Sequence, residues 1–100
     1  MAKEKRNSEV RIRCKVAPGM FSNEWAVTIE LPGDRKVTAL VDRSAVLVTR
    51  EPRIGEQVPG QLRVRLLESN TNSLLLELPS PSLVSGSRVE APRSLMVAAG

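Results

Sequence analysis

Histidine is absent from the 100 residues, and cysteine occurs once, as Cys14. Imidazole is the commonest general base near neutral pH and the commonest protein ligand for metal ions. Its absence excludes catalysis by serine-histidine or cysteine-histidine pairs and zinc sites with the usual ligand sets. A single cysteine also excludes a disulfide within the chain. The composition therefore predicts a protein that is not an enzyme and uses neither a metal nor a cofactor.

Carboxylates and hydroxyls do not supply a catalytic pattern in place of histidine. Asp34 and Asp42 are the two aspartates, and each lies in a segment with turn chemistry. No spacing among the nine glutamates selects a pair, and Ser44 and Ser94 lack a histidine to activate them. An enzyme with a glutamate-based site is therefore ranked third, below the two binding functions described below.

Aromatic residues and long apolar runs are also scarce. Phe21 and Trp25 are the two aromatics, and no apolar run approaches the roughly 18 residues that a membrane-spanning helix needs. The basic start MAKEKRNSE is not followed by the apolar region of a signal peptide. We expect a soluble, cytoplasmic protein without a membrane partner, and a core of Val, Leu and Ile that favours a narrow barrel.

Positive charge exceeds negative charge by four, with eleven arginines and four lysines. Three cations and one glutamate among the first six residues contribute half of this excess. Only +2 is left for residues 7–100, so the net charge alone does not indicate a nucleic-acid partner. Residues 1–8 are predicted to form a flexible basic tail.

Alternation of apolar and polar residues with a period of two dominates the remaining sequence, which is typical of strands with one buried face. The segment VRIRCKV shows it most clearly, because the inward side would carry Val10, Ile12, Cys14 and Val16, and the outward side Arg11, Arg13 and Lys15. The same pattern predicts strands over residues 10–16, 24–31, 36–41, 46–49, 62–67, 73–78 and 88–91. Trp25 falls on an inward position.

Proline, glycine and short polar residues mark the connections between these strands. Residues 32–35, PGDR, predict a hairpin turn, and residues 42–45, DRSA, predict a tight or 3₁₀ turn in which Asp42 caps free amides. Residues 50–60, REPRIGEQVPG, predict a connecting loop. Polar loops are expected at residues 69–73 and 80–86.

The two halves of the chain resemble each other in three ordered places. VRIRC at 10–14 matches LRVRL at 62–66, IELP at 29–32 matches LELP at 76–79, and VDRSAV at 41–46 matches APRSLM at 91–96. The offsets of 52, 47 and 50 residues differ only by small loop lengths. This self-similarity predicts an internal repeat, although chance recurrence of alternating arginine and leucine is the alternative.

A three-stranded unit with one apolar face cannot bury that face alone. Two such units can bury it together, which predicts an all-β fold, either a small antiparallel barrel or a two-layer sandwich of about six strands. An SH3-like or OB-like barrel is the competing architecture. The predicted single domain covers residues 9–97, with repeat units at 9–49 and 61–97 and a linker loop at 50–60.

The outward arginines are one candidate binding surface. Positioned cations suffice to contact a phosphate backbone, and the two similar strands offer Arg11, Arg13, Lys15, Arg63 and Arg65. The alternative is that Glu30 and Glu77, on the following strands, pair with these cations across strands. A nucleic-acid-binding barrel is therefore the second function hypothesis.

Apolar residues at unusual positions are the other candidate surface. Met20 and Phe21 lie in a predicted loop, where they either anchor a partner protein or fold back to close one end of the barrel. Leu40 and Leu75 fall on outward positions, where they fit an interface or a surface covered by a loop. The leading hypothesis, based on these four residues, is a module that binds another protein or a second copy of itself. Cys14 points inward and is expected to be a small core residue.

Overall fold

A computed structural model describes residues 8–82 and 86–97. It contains seven strands and two short 3₁₀ helices, here named η1 and η2. Their bounds are β1 Ser8–Pro18, β2 Glu24–Leu31, β3 Arg35–Asp42, η1 Arg43–Ala45, β4 Val46–Val48, β5 Val58–Ser69, β6 Ser73–Ser82, β7 Gly86–Pro92 and η2 Arg93–Leu95. Apart from Ser8, the predicted tail over residues 1–8 lies outside the described residues, as do residues 83–85 of the predicted loop at 80–86.

The strands form one antiparallel sheet in the order β4-β5-β1-β2-β3-β6-β7, and β5 also pairs with β6. That extra pairing closes β5, β1, β2, β3 and β6 into a five-stranded barrel, with β4 and β7 as additional strands. The predicted all-β fold and small antiparallel barrel are thereby confirmed. Closure leaves the central strands without free edges, which a three-stranded unit alone could not achieve.

Apolar side chains fill the barrel as the period of two predicts. On β1, Ile12, Cys14 and Val16 are buried, and on β2 Trp25, Val27 and Ile29 are buried. Most of the core consists of Val, Leu and Ile, and among the described residues no buried residue is polar or charged. The diameter of a barrel grows with the number of its strands, so five strands enclose a small interior that these side chains fill.

Turn chemistry places the β2–β3 hairpin and the 3₁₀ turn after β3 where the sequence predicts them. Gly33 and Asp34 adopt φ values of +77° and +59° in the β2–β3 hairpin, a left-handed region that Gly and Asp tolerate better than most residues. Asp42 Oδ2 accepts hydrogen bonds from the Ser44 amide at 2.9 Å and from the Ser44 hydroxyl at 2.6 Å. These bonds lower the pKa of Asp42, and the predicted 3₁₀ turn with an aspartate cap is confirmed.

β5 begins four residues before, and β6 ends four residues after, the bounds that the sequence predicts. β5 begins at Val58, inside the predicted loop at 50–60, because Val58 pairs with Val16 of β1. Pro59 is tolerated there because β4 ends opposite Gly60, so Pro59 lies beyond the part of β5 that has a neighbour on both sides. β6 extends to Ser82, which pairs with Ala39 of β3 and closes the barrel.

The two halves present the same order of elements: three strands, a 3₁₀ helix and a short extended segment. The segment after each 3₁₀ helix pairs with the first strand of the other half, since Val46 pairs with Leu62 and Met96 forms a bridge with Ile12. Descent of the two halves from one repeated unit stays a prediction. Within residues 8–82 and 86–97, no helix is long and apolar enough to cross a membrane.

Candidate functional site

The outward rows of arginine from the two halves meet at the centre of the β1–β5 pair. Arg11 lies directly opposite Arg63, and the pair is flanked by Val10 opposite Val64 and by Ile12 opposite Leu62. Arg11 and Arg63 also occupy matching positions in the two similar segments of the sequence. Like charges directly opposite each other destabilise a strand pair, so this arrangement costs free energy unless an anion lies nearby.

Glutamates accompany most of the cations on this surface, as the sequence predicts. Lys15 Nζ lies 3.7 Å from Glu30 Oε2, and Arg65 Nη1 lies 3.4 Å from Glu77 Oε1. Exposed pairs of this kind contribute about 1 kcal/mol or less each. The predicted cross-strand pairing is therefore confirmed for both glutamates. Arg11, Arg13 and Arg63 belong to neither of these two pairs.

The remaining arginines differ in how they are held. Arg63 Nε reaches Glu9 Oε2 at 4.0 Å, and Arg13 Nη1 donates to the backbone carbonyl of Ser94 at 2.5 Å. Within the described part of the chain, the Arg11 side chain makes no hydrogen bond or ion pair. Arg11 is thus the cation on this surface that is free to receive an anionic group.

Two grooves flank the Arg11 and Arg63 pair. The Arg11 groove, of about 650 Å³, lies over β4, β5 and β1. Its lining includes Arg11, Arg13, Lys15, Glu30, Leu47, Pro59, Gln61 and Leu95. The Arg63 groove, of about 690 Å³, lies beside β5 and β6. It is lined by Glu9, Ser44, Ala45, Arg63, Val64, Arg65, Glu77, Leu78 and Pro79.

The two grooves are built from corresponding positions of the two halves. Each has two arginines from the first strand of one half, a glutamate from the next strand, and a 3₁₀ helix from the other half. They differ in their remaining lining, because Leu47 and Val48 of β4, and Thr49 after it, line the Arg11 groove. The Arg11 groove is therefore the more apolar of the two.

A polar group in the Arg11 groove lacks a partner. Gln61 lies between Leu47 of β4 and Arg13 of β1 in one cross-strand row. Its Oε1 atom is buried and, among the described residues, accepts no hydrogen bond. Leaving a buried acceptor unpaired costs about 1 to 3 kcal/mol, so Gln61 is a second position in this groove where a ligand could lower the free energy.

Cys14 also lines the Arg11 groove, but it is buried. Burial raises the pKa of its thiol to about 12, because the thiolate would lose its hydration. The side chain therefore stays protonated near neutral pH and is a poor nucleophile. The predicted inward, core position of Cys14 is confirmed.

A second surface lies at the end of the barrel formed by the loops at residues 19–23 and 49–57. Both loops are at this end because β1 finishes where β5 begins, with Val16 opposite Val58. Their large apolar side chains project into solvent: Met20 is 76% exposed, Phe21 69% and Ile54 95%. Met20 and Phe21 therefore do not close the end of the barrel, which was one of the two predicted roles.

Arg43 of η1 connects these two loops. Its backbone N–H donates to the Asn23 carbonyl at 3.0 Å, and its Nη2 atom lies 2.9 Å from Glu51 Oε2. The guanidinium carbon stands 3.9 Å from the centre of the Trp25 ring, which is a cation-π contact. One side chain therefore braces both loops against the wall of the barrel.

The loop at residues 49–57 is also held from within. The Arg50 guanidinium donates to both carboxylate oxygens of Glu56, at 3.0 and 2.5 Å, and the Arg53 amide donates to Glu56 Oε1 at 2.9 Å. These bonds lower the pKa of Glu56 to about 2. The exposed Ile54 therefore lies in a turn that is closed by the ion pair between Arg50 and Glu56.

The two leucines predicted to face outward occupy separate places. Leu40 is half-buried opposite Ala26 of β2, and Leu75 is half-buried opposite Glu68 and Glu90. They do not share a surface, because β3 meets β6 at Ser82, seven residues along the strand from Leu75. Ile54, rather than either leucine, lies at the same end of the barrel as Met20 and Phe21. Its sequence signal was an isolated large apolar residue between charged residues and a glycine.

Within residues 8–82 and 86–97, no three acidic or cysteine side chains come close enough to hold a metal ion. Comparison of the chain with protein-family models, with curated proteins and with solved structures found no match. The geometry of the two grooves and of the apolar end is therefore the basis for a functional proposal.

Proposed function

We propose that this chain is a non-enzymatic β-barrel module that binds another protein through the end carrying Met20, Phe21 and Ile54. The observation that supports it is the exposure of three large apolar side chains on two loops joined by Arg43. Exposed apolar side chains grouped at one place are typical of interfaces. The hairpin loop at the other end of the barrel has Asn70, Thr71 and Asn72 instead.

Bracing of the loops strengthens this proposal. Association costs free energy when loops and side chains become ordered on binding. The contacts of Arg43 and Glu56 order these loops in the free protein, so less is lost when a partner is bound. Phe21 is the natural central anchor, since buried aromatic residues contribute much of the energy at protein interfaces.

The test is a comparison of the wild-type chain with a variant carrying Met20→Ser, Phe21→Ser and Ile54→Ser. Sedimentation velocity over a range of concentrations measures self-association, and affinity purification with crosslinking measures binding to other proteins. We expect a complex that the triple variant loses while its melting temperature changes little. Leu40→Ser with Leu75→Ser is the control and should keep the complex. Equal complex formation by the wild type and the triple variant would contradict the proposal, as would a wild type that forms no complex.

A nucleic-acid-binding barrel is the second candidate, and the meeting of Arg11 with Arg63 favours it. A labelled single-stranded oligonucleotide should then bind with an affinity that falls steeply as salt is added. Binding should be lost when Arg11, Arg13, Arg63 and Arg65 are replaced by serine. Against it, Trp25 is buried and Phe21 lies at the end of the barrel, so the arginine surface lacks the aromatic platforms that single-stranded nucleic acids stack upon.

A further inference from the structure

The Arg11 groove presents two unsatisfied groups of opposite hydrogen-bonding character. Arg11 has donors and a positive charge without a partner among the described residues, and Gln61 Oε1 is a buried acceptor without a donor. A ligand that satisfies both must carry an anionic group and an N–H or O–H group. A simple inorganic anion would satisfy Arg11 only.

Apolar side chains border the same groove. Leu47, which is 43% exposed, lies next to Gln61 in the cross-strand row, and Leu95 of η2 lies beside Ser94, whose carbonyl holds Arg13. A volume of about 650 Å³ is within the range of ligand-binding clefts. The ligand should therefore have an apolar side chain as well as its charged and donor groups.

The spacing of the cations suits an extended chain. Arg11 and Arg13 are alternate residues of one strand, and alternate residues of an extended strand lie about 6.6 Å apart on the same face. An extended peptide has the same repeat, so acidic residues two positions apart can face these two arginines together. Its backbone N–H groups can donate to Gln61 Oε1 once the amide, whose oxygen is buried in the free protein, turns into the groove.

A polynucleotide fits this groove less well. The phosphates and deoxyribose rings within a DNA strand offer no donor to Gln61 Oε1, whereas a peptide backbone carries an N–H group at every residue except proline. We propose that the Arg11 groove binds an extended acidic peptide with one apolar residue, its carboxylates at Arg11 and Arg13 and its apolar side chain against Leu47 and Leu95. This is a second binding site, because Met20, Phe21 and Ile54 do not line the groove.

The experiment is fluorescence polarisation with the labelled hexapeptide Leu-Ser-Glu-Ser-Glu-Ser, blocked at both ends. We expect saturable binding to the full chain that Arg11→Gln weakens at least fivefold and Gln61→Leu weakens at least threefold. Arg35→Gln is the matched control, because Arg35 is an exposed arginine at the start of β3, outside the groove, and it should leave the affinity within twofold of wild type. Thermal unfolding of each variant verifies that it is folded.

Three results would overturn the proposal. One is equal binding of the peptide Leu-Ser-Gln-Ser-Gln-Ser, another is undetectable binding of the acidic peptide at millimolar concentration, and the third is an unchanged affinity of the Arg11→Gln variant. A labelled oligothymidylate that binds more tightly than the acidic peptide at the same salt would assign the groove to nucleic acid. The triple variant at Met20, Phe21 and Ile54 should bind the peptide like wild type, so the failure of one site is distinguishable from the failure of the other.

Discussion

Arg11 and Arg63 are direct partners across the antiparallel pair of β1 and β5. They are 52 residues apart in the chain, and they occupy the same position in the segments VRIRC and LRVRL. A strand pair selected for stability alone would place unlike charges there. Two arginines lie there instead, and the carboxylate recorded beside them is that of Glu9, whose Oε2 atom is 4.0 Å from Arg63 Nε.

Replacing Arg11 by glutamate should stabilise the protein. Arg11→Glu creates an opposite-charge pair with Arg63, which should raise the free energy of unfolding by about 0.5 kcal/mol. Urea unfolding at low salt measures the gain, and the gain should shrink at about 1 M salt, where charges are screened within about 3 Å. Arg35→Glu should give no such gain, since Leu31 lies opposite Arg35. A loss of stability in Arg11→Glu would contradict the prediction.

Gln61→Leu should also stabilise the protein while it weakens ligand binding. The substitution removes a buried acceptor that has no partner in the described structure, so we expect the free energy of unfolding to rise by about 1 kcal/mol. The matched control is Gln57→Leu in the exposed loop, which should change stability by less than about 0.5 kcal/mol. A destabilised Gln61→Leu variant would mean that the amide is satisfied in solution.

Gly60 should tolerate no side chain. A Cβ atom at this position would lie 2.5 Å from Val16 Cγ2 and 3.0 Å from the Leu47 carbonyl oxygen. Gly60→Ala should therefore lower the free energy of unfolding by about 1 to 3 kcal/mol through overpacking. Val16→Ala should cost less in the Gly60→Ala background than in the wild type, because it removes the colliding methyl group. A double-mutant cycle measures this coupling, and purely additive effects would argue against the collision.

The thiol of Cys14 should make stability depend on alkaline pH. Its pKa is about 12 in the folded protein and about 9 when exposed, so the folded state keeps a proton that the unfolded state loses. The resulting stability is fully present below pH 9 and is lost as the pH rises toward 12. Cys14→Ala should flatten the fall in stability above pH 9 seen in urea unfolding. Alkylation of Cys14 should be slow in the native protein and fast in urea, and equal rates would contradict its burial.

The ion pair of Arg50 and Glu56 should protect the loop at residues 49–57 in mild acid. The pKa of Glu56 is lowered from its ordinary value of 4.5 to about 2, so the contacts of its carboxylate are complete above pH 4.5 and are lost as the pH falls through 2. Hydrogen exchange at the Arg53 amide, which donates to Glu56, should therefore be slowed at every pH above about 2. Glu56→Ala, which removes the acceptor oxygen, should abolish the slowing at neutral pH, whereas Glu68→Ala on β5 should not. An unchanged exchange rate in Glu56→Ala would exclude the contact in solution.

The placement of the strands was largely predictable from the sequence because side-chain alternation has a local cause. A strand with one buried face needs apolar residues at every second position, and the segments containing Ile12, Val27 and Leu76 carry that pattern without long-range information. The Asp42 cap was predictable for the same reason, since it bonds two residues along the chain. The extension of β5 to Val58 was missed because local proline and glycine signals compete there with pairing to a distant strand.

The candidate sites were only partly predictable. The sequence identified the cations and the loop residues Met20 and Phe21 as candidates, but Gln61 carries no local signal of function, and the signal at Ile54 is only an isolated apolar residue in a polar loop. Their significance arises from what surrounds them. Ile54 is brought to the end that carries Phe21 by the pairing of Val16 with Val58, and Gln61 loses its hydration between Leu47 and Arg13.

The sequence by itself determined the all-β class, the narrow Val, Leu and Ile core, and the absence of histidine-based chemistry, because these depend on composition and on a period of two along the chain. Only the tertiary structure decided that Arg11 faces Arg63, that two grooves flank them, and that the most exposed apolar side chains share one end. Register between strands far apart in sequence is set by barrel closure, and a shift of one residue would turn the β1 arginines toward the core.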